Sequence, residues 1–285
     1  MSFGPNPWQQ TQWDWRAAGN FIGGGAGSGL IMFTALAGVG GTAAAALLLA
    51  GLALVGLGLA CVWAELGRPL RALHVFFNPN TSWMTREAIA ATALFPVGLA
   101  AAAGAYLGVG AAAWPAALLA LAFIYCQSRM LQAARGITAW REPLTVALLI
   151  GTSLAEGASL YWLLQPWHGQ EGAVAGLLFG LLLIGRATLW ITYRQRLAGR
   201  LAARAHKALD RAGRLLLIGG TVVPLALFLT AFAAGVAPTA LAALAGLLAA
   251  VAGAYMKFTL VTRAGYNQGF AVKAIPVRGA RPFGG

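Results

Sequence analysis

The residues best suited to chemistry are concentrated in one polar stretch, 65–87, between two apolar runs. It contains the carboxylates Glu65 and Glu87, three arginines and His74, with phenylalanine and tryptophan beside them. Carboxylates and imidazole exchange protons, and arginine donates hydrogen bonds to oxygen acceptors. A quinone site at a membrane surface needs such groups next to an apolar slot. On composition alone a plainer interpretation is favoured: the arginines bind lipid phosphate, the carboxylates pair with them, and Trp83 lies at the interface.

Two ionisable residues, Glu156 and Arg186, lie deep inside apolar runs. Charged groups within a membrane are costly and often functional. Counted from Glu142 and Arg194, they lie about 21 Å and about 12 Å from the same membrane surface at 1.5 Å per residue. Direct pairing across that difference requires helix tilt or a long arginine reach. Two interpretations stay open: an internal polar path, for example for protons, and a buried structural network.

Metal and haem sites are not indicated by the sequence. Cys61 and Cys126 lie far apart in apolar runs, which is not the spacing of a metal or iron–sulfur site. A membrane haem usually needs two histidines inside spans, whereas His74, His168 and His206 lie at predicted helix ends or in loops. We therefore expect this chain to hold no metal, no haem and no iron–sulfur cluster of its own.

The composition predicts that helices in a lipid bilayer position these residues. Of the 285 residues, 59% are hydrophobic and 9% are charged, against about 45–50% and about 25% in soluble domains. A transmembrane helix needs roughly 20 apolar residues. Runs of that length fall at about 18–37, 42–64, 87–108, 112–132, 143–164, 172–193, 214–235 and 239–262. The sequence thus predicts an all-α bundle of eight transmembrane helices over 1–263, followed by an extended tail, 264–285.

The basic residues predict how this bundle is oriented. Apart from Arg186, every lysine and arginine is assigned to the chain ends or to even-numbered connections, with Lys257 counted in the last of these segments. An even number of spans places all of them on one side of the membrane. Cytoplasmic loops carry an excess of lysine and arginine, so that side is predicted to be the cytoplasm. Both termini are then predicted to be cytoplasmic, in a bacterial or archaeal inner membrane.

The net charge of +13 is explained by this topology and by attraction to anionic lipid, so we expect no nucleic-acid partner. Within 194–214, apolar residues recur every four positions with arginine and lysine between them. This pattern predicts an amphipathic helix lying at the lipid headgroups.

The segment LGRPLRALHVFFNPNTSWMTRE, residues 66–87, resembles a loop of the membrane-anchor subunit of dimethyl sulfoxide reductase and of related NrfD-like anchors. That loop has Leu-Gly-x-Pro-x-Arg-Ala, then Ser-Trp or Ser-x-x-Ser, then a glutamate that opens the next helix. The segments PWQQTQWDWRAAGNFIGGGAGSG and GYNQGFAVKAIPVRG more closely resemble the subgroup described as the membrane subunit of phenylacetyl-CoA:acceptor oxidoreductase. The resemblance covers the N-terminal third and the tail, and the middle runs match in hydropathy alone.

What the resemblance implies is an anchor for a molybdopterin catalytic subunit and a ferredoxin-like iron–sulfur subunit. Electrons would pass between that iron–sulfur subunit and a membrane quinone, menaquinone or ubiquinone. Glu87 matches the glutamate tied to quinone binding in the family. Glu65 stands where the family has a histidine, which leaves its proton-carrying role open, and His74 is the candidate replacement.

Further candidates for the quinone site are donors to a quinone carbonyl and residues lining the slot. The donors are Arg68, Arg71 and His74, and the lining residues are Trp13, Asn20 and Tyr125. For each of these alone, packing or interface anchoring is at least as good an interpretation.

Two alternative hypotheses stay open: a small-molecule transporter, and a plain membrane anchor that binds quinone only structurally. Transporters favour broken helices that face each other at the middle of the membrane, and an internal repeat. The two halves of this sequence show no convincing similarity.

Overall fold

A computed structural model describes residues 6–64, 69–109, 113–169, 172–234 and 238–270. Within these ranges the backbone is helical apart from turns and two isolated bridges. Long runs of Ala, Leu and Gly form helices because a backbone in lipid must satisfy its polar groups within its own segment. The predicted all-α fold is therefore confirmed.

The helices follow one another along the chain as α1 Trp15–Leu36, α2 Gly41–Trp63, α3 Trp83–Leu107, α4 Ala113–Gln132, α5 Thr138–Arg141, α6 Leu144–Leu163, α7 Gln165–His168, α8 Ala173–Arg196, α9 Ala203–Arg214, α10 Val223–Ala234 and α11 Pro238–Phe258. A 3₁₀ helix, Pro69–Phe77, lies between α2 and α3. π-helical segments, Leu215–Val222 and Thr259–Arg263, join α9 to α10 and extend α11.

Six helices in the described ranges are long and apolar enough to cross a membrane. They are α2, α3, α6, α8, the continuous helix Ala203–Phe232 and Pro238–Arg263. α1 and α4 coincide with predicted runs but do not reach the same hydropathy. The lower hydropathy of α1 has a structural reason, because α1 packs against α2, α4, α6 and α11, so much of its surface faces protein.

Glycines allow α1 to approach two neighbours at backbone distance. A Cβ on Gly23 would lie 2.8 Å from the Leu54 carbonyl oxygen of α2. A Cβ on Gly29 would overlap the Ser153 carbonyl of α6, and one on Gly157 would overlap the Gly29 backbone. Small residues at helix contacts are how membrane helices pack closely without a hydrophobic driving force.

Contacts bring both ends of the described chain to one end of the bundle. The Gln10 amide donates to the Gly265 carbonyl at 2.8 Å, and the Trp140 indole donates to the Leu260 carbonyl at 2.8 Å. This end, called the basic end below, is where α2, α4, α8 and α11 end and where α3 begins. In the predicted tail, Gly265 and Asn267 form backbone hydrogen bonds here with Gln10 and Trp8 of the N-terminal arm, and residues 271–285 lie outside the described residues.

The predicted headgroup helix within 194–214 is corrected by the structure. α8 continues to Arg196, and the next helix starts at Ala203 and runs without a break into the following span. The four apolar residues of the predicted 194–214 pattern are buried in a core cluster with Trp140 and Tyr193. They are Leu197, Leu201, Ala205 and Leu209. The amphipathic pattern is real, but its apolar side covers protein rather than lipid.

Candidate functional site

A cavity of about 540 Å³ lies at the basic end, where α1, α2, the 3₁₀ helix, α3 and α4 meet. Three residues predicted from the sequence line it: Trp13, Asn20 and Glu87. The remaining walls are mainly apolar. They are formed by Gln12, Ala17, Phe21, Leu59, Val62, Trp63, Ala72, Val75, Met84, Ala88 and Met130.

Glu87 is the carboxylate of this cavity and is almost fully buried, at 4% exposure. Its Oε1 accepts hydrogen bonds from Asn20 Nδ2 at 3.1 Å and from Gln127 Nε2 at 3.2 Å. Gln127 Nε2 also donates to the Asn20 carbonyl at 3.0 Å. Asn20 Oδ1 is buried without a partner among the described residues. The residues around the cavity therefore include a buried carboxylate and an amide whose Oδ1 has no partner among the described residues, beside apolar walls.

Local caps fix the helices that carry these groups. Ser82 caps α3 by accepting from the Thr85 amide at 3.2 Å, and the Thr85 hydroxyl donates to the Val75 carbonyl, which ties α3 to the 3₁₀ helix. Asp14 caps α1 by accepting from the Arg16 amide at 2.8 Å. Hydrogen bonds from the Arg16 side chain and amide hold the pKa of Asp14 below its usual value. Serine and aspartate are favoured at such positions because they satisfy helix N–H groups.

Two of the cavity's lining residues, one on α2 and one on α3, are exposed at the surface of the bundle. Trp63, near the end of α2, is 55% exposed, and Met84, at the start of α3, is 46% exposed. Both line the cavity.

Other predicted residues lie away from the cavity. Tyr125 is 40% exposed and packs edge-on against Trp83, with 5.8 Å between ring centroids. Arg86 and Arg129 stack on the same tryptophan at 4.2 and 4.7 Å. Tyr125 is thus part of an aromatic–cation cluster on the outside of the bundle.

Of the four predicted site residues in 65–74, the structure describes the side chain of His74 alone. His74 is exposed, packs against Phe77 and does not line the cavity. Glu65 and Arg68 lie outside the described residues. The backbone of Arg71 belongs to the 3₁₀ helix, and its side chain lies outside the described part of the chain.

A second polar cluster is buried within the bundle around Glu156. Glu156 Oε2 pairs with Lys257 Nζ at 2.6 Å, and Lys257 also donates to the Ser153 hydroxyl at 3.0 Å and to the Phe21 carbonyl at 3.1 Å. Both charged side chains are 1% exposed. The assignment of Lys257 to the basic surface is therefore wrong: this lysine is the buried partner of Glu156.

Arg186 lies beside this pair and is fully buried. It donates to the Ala249 carbonyl at 3.0 Å and to the Gly220 carbonyl within the π-helical segment. A Cβ on Gly253 would lie 2.7 Å from Glu156 Oε1 and 3.1 Å from Arg186 Nη1, so this glycine makes room for both. The two residues predicted to form a polar path are thus close together, with Lys257 as the direct ion-pair partner.

Sequence reasoning missed Gln127 and Lys257. Each is a polar residue inside a predicted apolar run, at 112–132 and 239–262, and that position was the available signal. The two clusters also share one turn of α1, since Gln127 donates to the Asn20 carbonyl and Lys257 to the Phe21 carbonyl.

In comparisons with known proteins, the sequence matches no family model and no curated protein.

Proposed function

We propose that this chain crosses the membrane eight times, with its basic end and both termini in the cytoplasm of a bacterium or archaeon. α1 and α4 would complete the six apolar helices, because each packs along helices that qualify as spans. The connections at the opposite end, such as 36–41 and 163–173, contain no lysine or arginine. The excess of positive charge on cytoplasmic loops supports the orientation.

The cavity carries the proposal that this protein binds a membrane quinone. A volume of about 540 Å³ falls within the usual range of roughly 300–1,000 Å³ for small-molecule sites. Apolar walls suit the ring and tail, and we propose that a quinone enters from the lipid past Trp63 and Met84, two exposed residues that line the cavity. Asn20 Oδ1, buried without a partner among the described residues, is an acceptor for a quinol hydroxyl.

Glu87 is proposed to exchange protons with the bound quinone. Reduction of a quinone to a quinol takes up two electrons and two protons. Glu87 is the carboxyl group among the cavity's lining residues, and Asn20 and Gln127 hold it in place. A protonated carboxyl donates to a quinone carbonyl, and a carboxylate accepts a proton from a quinol.

The electrons are proposed to come from, or pass to, a ferredoxin-like iron–sulfur subunit bound at the basic end, itself joined to a molybdopterin catalytic subunit. The resemblance of residues 66–87 to molybdopterin-enzyme anchors supports these partners. The protein would then be the quinone-reactive membrane subunit of an oxidoreductase, with the substrate chemistry in another chain. The quinone would be menaquinone or ubiquinone.

The direct test replaces Glu87 by Gln in the complete complex. We expect quinone turnover to fall by about 100-fold or more, the usual effect of losing a general acid or base. Activity with a soluble dye that bypasses the membrane subunit should be unchanged. Glu142→Gln is the matched control, because Glu142 is equally buried at the same end but pairs with Arg196 and Arg200 instead. Unchanged quinone turnover in Glu87→Gln contradicts the proposed site.

The alternative function, transport of a small molecule, is favoured by the buried Glu156–Lys257–Arg186 cluster. Charged residues that face the interior of a helix bundle often mark an ion or substrate pathway. The chain alone in proteoliposomes would then move a solute, and Glu156→Gln would abolish that flux. A quinone-reactive subunit gives no such flux.

A further inference from the structure

The outer face of α9 is a row of exposed cations. Arg204, Lys207, Arg211 and Arg214 are all exposed and recur at intervals of three or four residues, which places them on one side of the helix. The opposite side is buried against the bundle through Ala205, Leu209, Ala212 and Gly213. Within the described residues, none of the four cations has an ion-pair partner, and Asp210 of the same helix pairs with Arg194 and His206.

The same continuous helix becomes apolar on its exposed side immediately after Arg214. The exposed large side chains from there onward are Leu215, Ile218, Val222, Val223, Leu229 and Phe232. The 18 residues 215–232 span at most about 27 Å at the α-helical rise of 1.5 Å per residue, because the π-helical segment Leu215–Val222 rises less. This length is close to a hydrocarbon layer about 30 Å thick. The edge of the hydrocarbon therefore lies near Leu215, and α9 projects beyond it.

Distance along the helix divides the four cations into two pairs. Arg214 and Arg211 lie about 2 and about 6 Å beyond Leu215, and Lys207 and Arg204 lie about 12 and about 16 Å beyond it. The headgroup layer is only about 5–8 Å thick on each side. A typical tilt of about 20° shortens these heights by roughly 6%. The first pair is level with the headgroups, and the second pair stands beyond them.

Side-chain direction increases this separation. The Cα–Cβ bonds of a helix tilt toward its N-terminus, and the N-terminus of α9 is its end away from Leu215 and the apolar part of the helix. Lys207 and Arg204 therefore lean away from the lipid. Screening at physiological ionic strength acts over about 8–10 Å, so this pair attracts an acidic surface that approaches it within that distance.

We propose that Arg204 and Lys207 form a docking point for an acidic surface of a water-soluble partner protein. The inference rests on the proposed function, in which that partner is the iron–sulfur subunit. Arg211 and Arg214 belong to the same basic row but lie at the level of lipid phosphate. Charge complementarity with a surface held about 12–16 Å above the hydrocarbon favours a protein over a lipid as the occupant.

The test compares two double charge reversals on the same helix, Arg204→Glu with Lys207→Glu, and Arg211→Glu with Arg214→Glu. The complex is purified from membranes through a tag on this chain, and bound iron is measured as salt is raised. Charge at an interface changes association and its salt dependence. We expect the first variant to lose partner iron at a salt concentration at least three-fold below that of the unmodified complex, and the second to retain it.

Quinone binding to the tagged chain, measured by quenching of tryptophan fluorescence with a short-chain quinone, should be unchanged in both variants and shows that the chain is folded. Iron retention by the first variant equal to that of the unmodified complex overturns the docking point, as does equal loss in both variants. An unmodified chain that retains no iron at low salt overturns the partner in the proposed function, whatever the variants do.

Discussion

At the scale of single residues, the cavity depends on polar groups placed in an apolar setting. Trp13, Asn20 and Glu87 were predicted from residue type and family resemblance, and the structure brings them together around one space. Gln127 completes the group, although nothing in the sequence around it shows which way its side chain points. A polar residue in an apolar run is visible in a sequence, but its direction depends on helix rotation and tilt, which tertiary packing sets.

The Glu156–Lys257 pair makes a prediction about stability. Lys257→Met leaves Glu156 with one cation fewer in a buried setting, and removing one partner of a buried pair typically costs about 3–5 kcal/mol. The double variant Glu156→Gln with Lys257→Met removes both charges, so we expect it to be more stable than Lys257→Met alone. Thermal unfolding in detergent measures both. A double variant that is as unstable as the two single variants combined contradicts a direct pair.

At the scale of helices, the positions of the long helices were predictable, because unbroken apolar length is the main requirement of a membrane span. Two features were not. Arg194–Arg214 carries an amphipathic pattern that suits a headgroup helix and a protein-covered helix equally well. Lys257 lies within one turn of the end of α11, where a lysine often extends to the interface. Only the packing of α1, α6 and α11 shows that it turns inward.

The contact between α1 and α6 makes a prediction at the same scale. Gly29→Ala places a methyl group into the Ser153 carbonyl of α6, so the two helices must separate. We expect a loss of about 1–3 kcal/mol, the usual cost of overpacking, seen as a lower unfolding temperature in detergent. Gly185→Ala is the matched control, since its Cβ would meet open space within a helix. Equal effects of the two changes contradict the close α1–α6 packing.

At the scale of the whole molecule, the proposed orientation places the basic end in the cytoplasm. We expect a cysteine at position 207 to react with an impermeant maleimide only after the membrane is opened, because α9 belongs to the basic end. A cysteine at position 167, where Trp167 is 67% exposed at the opposite end, should react in intact cells. Both are made in a chain with Cys61 and Cys126 replaced by alanine. The reverse pattern contradicts the orientation.

The central claim is that the cavity between α1, α2 and α3 binds quinone, and photolabelling with an azidoquinone followed by peptide mapping tests it most directly. We predict adducts in the peptides that carry Trp63 and Met84, suppressed by an excess of unlabelled quinone. Adducts confined to the apolar groove between α8 and α10, which Gly176 and Phe228 line, contradict the account. So does labelling at Trp63 and Met84 that excess quinone leaves unchanged.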